Sequence, residues 1–117
     1  MIKSNLMTDS GFADDEPDIF IAAERNDPYL MARAIQAGQS LDDRKGALAA
    51  TPIHFACING SYEFVEAAIN GHEFDPWIKD GNGKRAIDHS IIRGDQDIIS
   101  LLFEKMHGHS PSDPLPE

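Results

Sequence analysis

The chain has 117 residues, of which 41% are hydrophobic, and its 20 acidic and 10 basic side chains give a formal net charge of −10. These values predict one soluble domain and exclude nucleic acid and anionic membranes as preferred partners, because both repel an acidic surface. The sequence has no apolar run of membrane-spanning length, its N-terminal residues are not predicted to be a secretory signal, and its lone Cys57 cannot form an internal disulfide. We therefore expect a cytoplasmic protein.

Residues 1–16 are polar and acidic without periodicity, and they are predicted to form a flexible tail. A short apolar face over 17–25 predicts a first helix, with its proline and acids at the start. Asp27 can cap a second helix, with Pro28 at its first position. Gly38 is a typical residue after the end of a helix.

The same order of elements follows twice more. A connector over 39–50 precedes a short helix opened by Thr51-Pro52, and Ser61 is predicted to cap a second helix over 62–70.

A turn-rich connector at 75–83 then leads to a third pair of helices at 85–93 and 96–106, the latter predicted to be capped by Asp95. The polar, proline-rich residues 108–117 are predicted to form a second flexible tail.

A period of 34 residues links the three short helices. The positions that recur are Ile19, Ala22 and Asn26, then Ile53, Ala56 and Gly60, then Ile87, Ser90 and Gly94. One helix pair cannot bury its apolar face, whereas three stacked pairs can. The period predicts an all-α solenoid of three helix-turn-helix repeats over residues 17–107, at about 17–49, 50–83 and 84–107.

The second repeat resembles the ankyrin-repeat family. Its sequence Thr51-Pro52-Ile53-His54-Phe55-Ala56 is similar to the family motif Thr-Pro-Leu-His-x-Ala, and Asn59-Gly60 matches the family's turn. The resemblance implies β-turn fingers in the connectors. Phe20 and Asp88 replace the motif histidine in the outer repeats, as in capping repeats, so the chain looks like a complete stand-alone protein.

The residues of the motif also have a physical interpretation. Pro52 presets the backbone of the first helical turn, and Gly60 permits a left-handed turn between helices. Thr51 and His54 can hydrogen-bond to each other and to the turn backbone, which fixes how a finger leaves the helix. Cys57 is small and is predicted to be a buried, inert thiol.

No catalytic, cofactor or metal site is predicted. His107, His109 and Asp113 lie close together in sequence, but no second pair of metal ligands accompanies them. An enzyme that uses Cys57 with His54 is a less favoured alternative, because such a nucleophile needs an exposed and activated thiolate.

The resemblance implies that the concave face of the short helices and the fingers bind another protein. The residues predicted to contact it are Arg25, Arg44, Lys45, Phe55, Asn59, Trp77, Lys79, Asp80, His89 and Arg93. Trp77 is interpreted either as an exposed anchor on a finger or as a cover over the core. Phe55 is likewise either an exposed anchor or a contact between repeats.

The resulting hypothesis is a monomeric, non-enzymatic protein-protein interaction module that needs no cofactor. Its net negative charge favours a basic partner. An alternative within the same class is an inhibitor or immunity protein that masks a basic toxic enzyme. A third possibility is that the acidic tails, and not the repeats, carry the function.

Overall fold

The computed structural model describes residues 17–108, so the predicted tail at 1–16 and nearly all of the second tail lie outside the described residues. Within 17–108 there are six helices and no extended strands. The helices are α1 (Ile19–Arg25), α2 (Pro28–Gln36), α3 (Pro52–Asn59), α4 (Tyr62–Gly71), α5 (Ala86–Arg93) and α6 (Gln96–His107). The predicted all-α fold of three helix pairs is therefore confirmed, while the boundaries between repeats stay a prediction. No helix of this region is long and apolar enough to cross a bilayer.

The helices form two rows. The short helices α1, α3 and α5 pack side by side in an inner row, and α2, α4 and α6 pack side by side in an outer row. The hydrophobic core fills the space within and between these rows, and its largest fully buried side chains include Phe64, Ile19, Met31, Ile98 and Leu102. Each pair buries its apolar face on the next, as stacked repeats require.

The 34-residue period places equivalent side chains in equivalent environments. Ile19, Ile53 and Ile87 are all buried, and Ala22, Ala56 and Ser90 are all fully inaccessible to solvent. Asn26, Gly60 and Gly94 all adopt left-handed backbone, with φ of 56°, 71° and 78°. Small residues let neighbouring helices approach, and the left-handed residue turns the chain from the first helix of a pair into the second.

The helix caps agree with the sequence in the first repeat and at the start of α3, where the Thr51 side chain accepts from His54 N–H. Asp18 caps α1 by accepting from the backbone N–H of Phe20 and Ile21, so Pro17 lies outside the helix, and Asp27 caps α2 through Leu30 N–H. The predicted capping by Ser61 and Asp95 is wrong. Both occupy the N-cap position, but neither side chain accepts a hydrogen bond from its helix.

Long-range hydrogen bonds explain why Ser61 is not a cap. Its hydroxyl donates to the carbonyl of Ala23 at 2.5 Å, in the preceding repeat. Asn26 replaces it, because its side-chain oxygen accepts from Phe64 N–H at 2.8 Å at the start of α4. The first two repeats are thus joined by an exchange of capping groups.

The two connectors form the expected fingers, here defined as finger 1 (residues 44–50) and finger 2 (residues 79–85). Finger 1 is closed by an antiparallel bridge between Lys45 and Ala50, and finger 2 by one between Lys79 and Arg85. The fingers lie side by side, since Gly81 N–H of finger 2 donates to the carbonyl of Leu48 in finger 1 at 2.6 Å.

Candidate protein-binding surface

The polar residues of the central motif connect α3 to finger 2. The Nδ1 atom of His54 accepts hydrogen bonds from the Thr51 hydroxyl at 2.7 Å and from Thr51 N–H at 3.2 Å. Because a carbonyl can only accept, the Nε2 atom carries the proton and donates to Lys84 O at 2.9 Å. The prediction that Thr51 and His54 bond to each other and to the turn backbone is confirmed.

His54 is held as a neutral imidazole. Burial lowers its pKa below the ordinary value, and the hydrogen bond to the Lys84 carbonyl opposes that effect only in part. Protonation of Nδ1 would also replace an acceptor with a donor where two Thr51 donors already point. This environment suits a structural histidine that stays uncharged, and His54 therefore fixes finger 2 to the second repeat.

The third repeat builds the same junction from charged residues. Asp88 occupies the position equivalent to His54, and its Oδ2 atom accepts from Arg85 N–H at 2.8 Å. The Arg85 guanidinium also contacts both carboxylate oxygens of Asp88, at 3.0 and 3.2 Å. This side-chain hydrogen bond is the main reason that the pKa of Asp88 is lowered.

Asp80 is a structural residue of finger 2. Its side chain is fully buried and accepts from the backbone N–H groups of Asn82 and Lys84 and from Nε2 of His89. Burial alone would raise the pKa of Asp80, but these three hydrogen bonds, led by that from His89, lower it to about 2. The predicted role of Asp80 as a partner-binding residue is thereby corrected: it closes the finger from within.

His89 faces the protein more than the solvent. Its ring donates to Asp80 at 2.8 Å and packs edge-on against His54 with ring centroids 5.8 Å apart, leaving 15% of the side chain exposed. The edge that remains exposed is small. Its main contacts therefore link α5 to finger 2, which differs from the predicted open contact with a partner.

Trp77 combines the two interpretations that the sequence left open. One side of its ring packs against His107 at the end of α6, with centroids 5.5 Å apart, and the Arg85 guanidinium lies 5.8 Å from the ring centroid. The residue is nevertheless 46% exposed. Trp77 is therefore anchored on the third repeat with part of its ring facing solvent.

Phe55 is mainly a contact between repeats. Its ring packs edge-to-face on Phe20 of the first repeat with centroids 5.5 Å apart, and only part of it reaches the surface. Phe20 stands at the position of the motif histidine and also supports finger 1, because the ammonium of Lys45 lies 5.3 Å from its ring centroid. Aromatic contacts thus replace the histidine network in the first repeat.

The remaining predicted residues are exposed on the short helices and the fingers, namely Arg25, Arg44, Lys45, Asn59, Lys79 and Arg93. Two of these side chains also hydrogen-bond to the backbone of a neighbouring element. Arg93 donates to the carbonyl of Ile58 on α3 at 3.3 Å, and Arg44 donates to the carbonyl of Lys79 at 3.1 Å, across the two fingers.

Two exposed apolar residues were missed from the sequence. Tyr29 is 75% exposed at the start of α2, and no sequence signal marks it. Ile91 is 55% exposed, although the equivalent residues Ala23 and Cys57 are fully buried against the next repeat. A signal for Ile91 did exist, because a position that packs on the following repeat loses its cover where no described repeat follows.

The described residues offer little for catalysis. Burial raises the pKa of the Cys57 thiol to about 12, which keeps it protonated and unreactive. Within residues 17–108 no three histidine, cysteine or carboxylate side chains lie close enough together to hold a metal ion. His109 and Asp113, considered with His107 as ligands, lie outside the described residues.

Comparison with known proteins agrees with this architecture. The family model for ankyrin repeats (3 copies) matches residues 19–113. The chain is also 28% identical over 109 residues to the ankyrin repeat and KH domain-containing protein mask-1 of Caenorhabditis elegans, an alignment that covers 92% of this chain and 4% of that protein. The chain thus spans a small fraction of that relative. Ankyrin repeats generally bind other proteins and are typically non-catalytic. With three stacked helix pairs, two fingers and the Thr-Pro-x-His motif, the chain belongs to the ankyrin-repeat family.

Proposed function

We propose that this protein is a non-catalytic module that binds a partner protein through the concave face of α3 and α5 and the two fingers. The observation that carries the proposal is an apolar pair on this face. Ile58 is 39% exposed and Ile92 is 69% exposed. Single exposed isoleucines are ordinary, whereas two at equivalent positions on neighbouring helices, which we call the apolar strip, suit a protein contact.

The helical spacing places this strip beside the polar residues predicted for the surface. Ile58 and Asn59 follow Phe55 by three and four residues, so all three share one face of α3. Ile92 and Arg93 take the same positions on α5. An apolar centre with a polar rim is the usual composition of a protein interface.

Internal hydrogen bonds prepare this surface for binding. Finger 2 is fixed from one side by His54 and from within by Asp80, and Arg44 joins it to finger 1. A surface held in place before binding loses less conformational entropy when a partner arrives. Arg25, Lys45, Lys79, Trp77 and the residues of the strip are therefore proposed as contacts, with Asp80 and His89 as their support.

The absence of an enzymatic function is part of the same proposal. Two observations support it. Cys57 has a high pKa and stays protonated, and His54 is hydrogen-bonded to the backbone of finger 2, so neither residue is free for the rival catalytic role. The cytoplasmic location and the monomeric state stay predictions from the sequence.

The inhibitor alternative has one observation in its favour. Outside the two fingers, residues 17–108 contain thirteen acidic and four basic residues, a net charge of −9. Such a surface attracts a basic enzyme through long-range steering. That version predicts a contact on the outer helices, where Glu63, Asp97 and Glu104 are exposed, and not on the concave face.

The proposal is tested by selecting binders from a displayed library of random peptides with the full chain as bait. The selected binders are then measured against the double variant Asn59→Ala/Ile92→Ala and against Tyr29→Ala as a control on the outer row. We expect roughly tenfold weaker binding for the double variant, since the two truncations together should cost about 1–2 kcal/mol, and unchanged binding for the control. Equal effects of both variants, or no effect of the double variant, would contradict the proposal.

A further inference from the structure

The two fingers have a charge opposite to that of the rest of the molecule. They contain Arg44, Lys45, Lys79, Lys84 and Arg85, which we call the basic ridge, and a single acid, Asp80. The carboxylate of Asp80 is buried inside finger 2 and does not reach the surface. A local net charge of +4 thus lies within a described region that is otherwise at −9.

The basic ridge is one connected unit. Gly81 N–H of finger 2 donates to Leu48 O of finger 1 at 2.6 Å, and the Arg44 guanidinium donates to Lys79 O at 3.1 Å. A β-carbon on Gly81 would lie 3.0 Å from Leu48 O, so the two backbones meet closely at this point. The charges of both fingers are therefore presented together.

Most of these charges lack a neutralising carboxylate among residues 17–108. Arg85 pairs with Asp88, but among the described residues Arg44, Lys45, Lys79 and Lys84 form no ion pair. Nη1 of Arg44 donates to two carbonyl oxygens, and these neutral acceptors do not cancel its charge. Four uncompensated cations close together repel one another and favour an anionic ligand.

We propose that the basic ridge binds an acidic segment of the partner protein, with an apolar residue of that segment on the strip formed by Ile58 and Ile92. This inference rests on the proposed function and gives its partner a chemistry. It differs from the basic partner predicted from the net charge, because the net charge averages two surfaces of opposite sign. Nucleic acid fits poorly, since the −9 of the remaining described residues repels an extended phosphate backbone.

The contact between finger 2 and α5 also favours an acidic protein segment as the ligand. His89 contacts Asp80 of finger 2, and Ile92 and Arg93 follow it on the same face of the helix. The helix that carries Ile92 is therefore joined directly to finger 2, which carries part of the ridge. A segment with alternating acidic and apolar residues satisfies both at once, whereas a small anion satisfies only the ridge.

The test uses the peptides selected by the full chain in the experiment above. Their affinities are measured at low and at moderate salt for Lys45→Glu/Lys79→Glu and for the matched control Arg33→Glu/Lys105→Glu, which changes the net charge equally on the outer row. Arg44 and Arg85 are left intact because their side chains hold the fingers and α5 in place. Circular dichroism verifies that both variants are folded.

We expect selected peptides that are enriched in Asp and Glu, bind less tightly as salt rises, and bind Lys45→Glu/Lys79→Glu at least about tenfold more weakly. The control should bind them within about twofold, apart from a uniform long-range effect. Peptides that depend on Asn59 and Ile92 but are not acidic would overturn this inference and leave the proposed function standing. Failure to obtain any peptide that depends on the concave face would overturn both.

The chain's own acidic residues at 14–16, which directly precede Pro17 in the sequence, are the alternative ligand that the test must distinguish from a partner segment. Removing residues 1–16 discriminates between the two. If acidic peptides bind the ridge only after this deletion, the ridge is filled by the chain's own segment and the partner-segment proposal fails. Similar affinities with and without residues 1–16 support it.

Discussion

The second and third repeats make the same helix-start junction with different chemistry. In the second repeat a neutral His54 accepts from Thr51 and donates onward to Lys84 of finger 2. In the third, Asp88 accepts from Arg85 N–H and pairs with its guanidinium, with no described finger beyond it.

The comparison separates two tasks that the motif histidine performs. One is local, since the residue three after the cap must accept the N–H of the cap position. A carboxylate does this as well as an imidazole. The other is the bond to the next finger, which needs a donor on the far side of the ring. Asp88 lacks that donor, and its place at the end of the described stack removes the need for one.

The largest expected effect comes from removing both tasks at His54 and comparing the result with removal of the local task alone at Asp88. His54→Ala removes the hydrogen bonds to Thr51 and Lys84 and leaves a cavity at a side chain that is 1% exposed. We expect about 2–4 kcal/mol lower free energy of unfolding, measured by urea denaturation. Asp88→Ala serves as the comparison and should lower it by about 1 kcal/mol, because its site is partly exposed and makes only local bonds.

Equal losses for the two alanine variants would mean that the bond between His54 and finger 2 contributes little. Hydrogen exchange gives a second measurement of how much the bond from His54 stabilises finger 2. Opening of finger 2 should accelerate more in His54→Ala than in Asp88→Ala, which removes only the contacts of Asp88 with Arg85 at the end of the finger.

The helix-ending glycines provide a smaller test of the same two repeats. Gly60 and Gly94 both have left-handed φ, so an alanine at either costs about 1 kcal/mol in backbone strain. At Gly60 the added β-carbon would also lie 2.6 Å from Nη2 of Arg93, whereas at Gly94 it meets nothing within 4 Å. We expect Gly60→Ala to lower the free energy of unfolding by about 1–2 kcal/mol, more than Gly94→Ala.

The background variant Arg93→Ala isolates the contribution of this contact. Without the guanidinium the two glycine substitutions should have equal effects, as a double-mutant cycle by thermal or urea unfolding would reveal. A difference that persists in the Arg93→Ala background would assign it to the backbone of Gly60 and not to the neighbouring repeat.

Comparison of the repeats also shows how far the sequence determines this structure. The helix pairs could be predicted because Ile53, Ala56 and Gly60 pack and turn their own helix, and the 34-residue period repeats these local roles in each pair. The caps could not, since the hydroxyl of Ser61 goes to Ala23, 38 residues away, and Asn26 takes its place. Local spacing contains no record of such an exchange.

The candidate surface was predictable in outline for a related reason. Repeat positions indicate which side chains face outward, as they did for Asn59 and Arg93, but not which of these find an internal partner. Asp80 was assigned to the surface because it lies in a turn, yet His89 and two backbone N–H groups draw it inside. Trp77 depends in the same way on His107, thirty residues later.

The smallest expected effect distinguishes the two junctions by their response to pH. Because burial lowers the pKa of His54 in the folded protein, the unfolded chain binds its proton more readily. The contribution of His54 is therefore fully present above the unfolded value of about 6.5, and it declines as pH falls through 6.5 towards the lowered folded pKa. Asp80, His89 and Arg44 act on the ring as well, and all three are unchanged in the variants compared.

We expect the free energy of unfolding of the wild type to fall between pH 7.5 and pH 5, by less than the loss caused by His54→Ala, and expect a flatter profile in His54→Ala. Asp88→Ala should retain the wild-type slope, since the lowered pKa of Asp88 keeps its contribution constant above about pH 4, and that contribution is lost only as pH falls below this value. Urea denaturation across this range measures all three profiles. A slope that disappears in Asp88→Ala, or persists undiminished in His54→Ala, would contradict the assignment of the neutral junction to the second repeat.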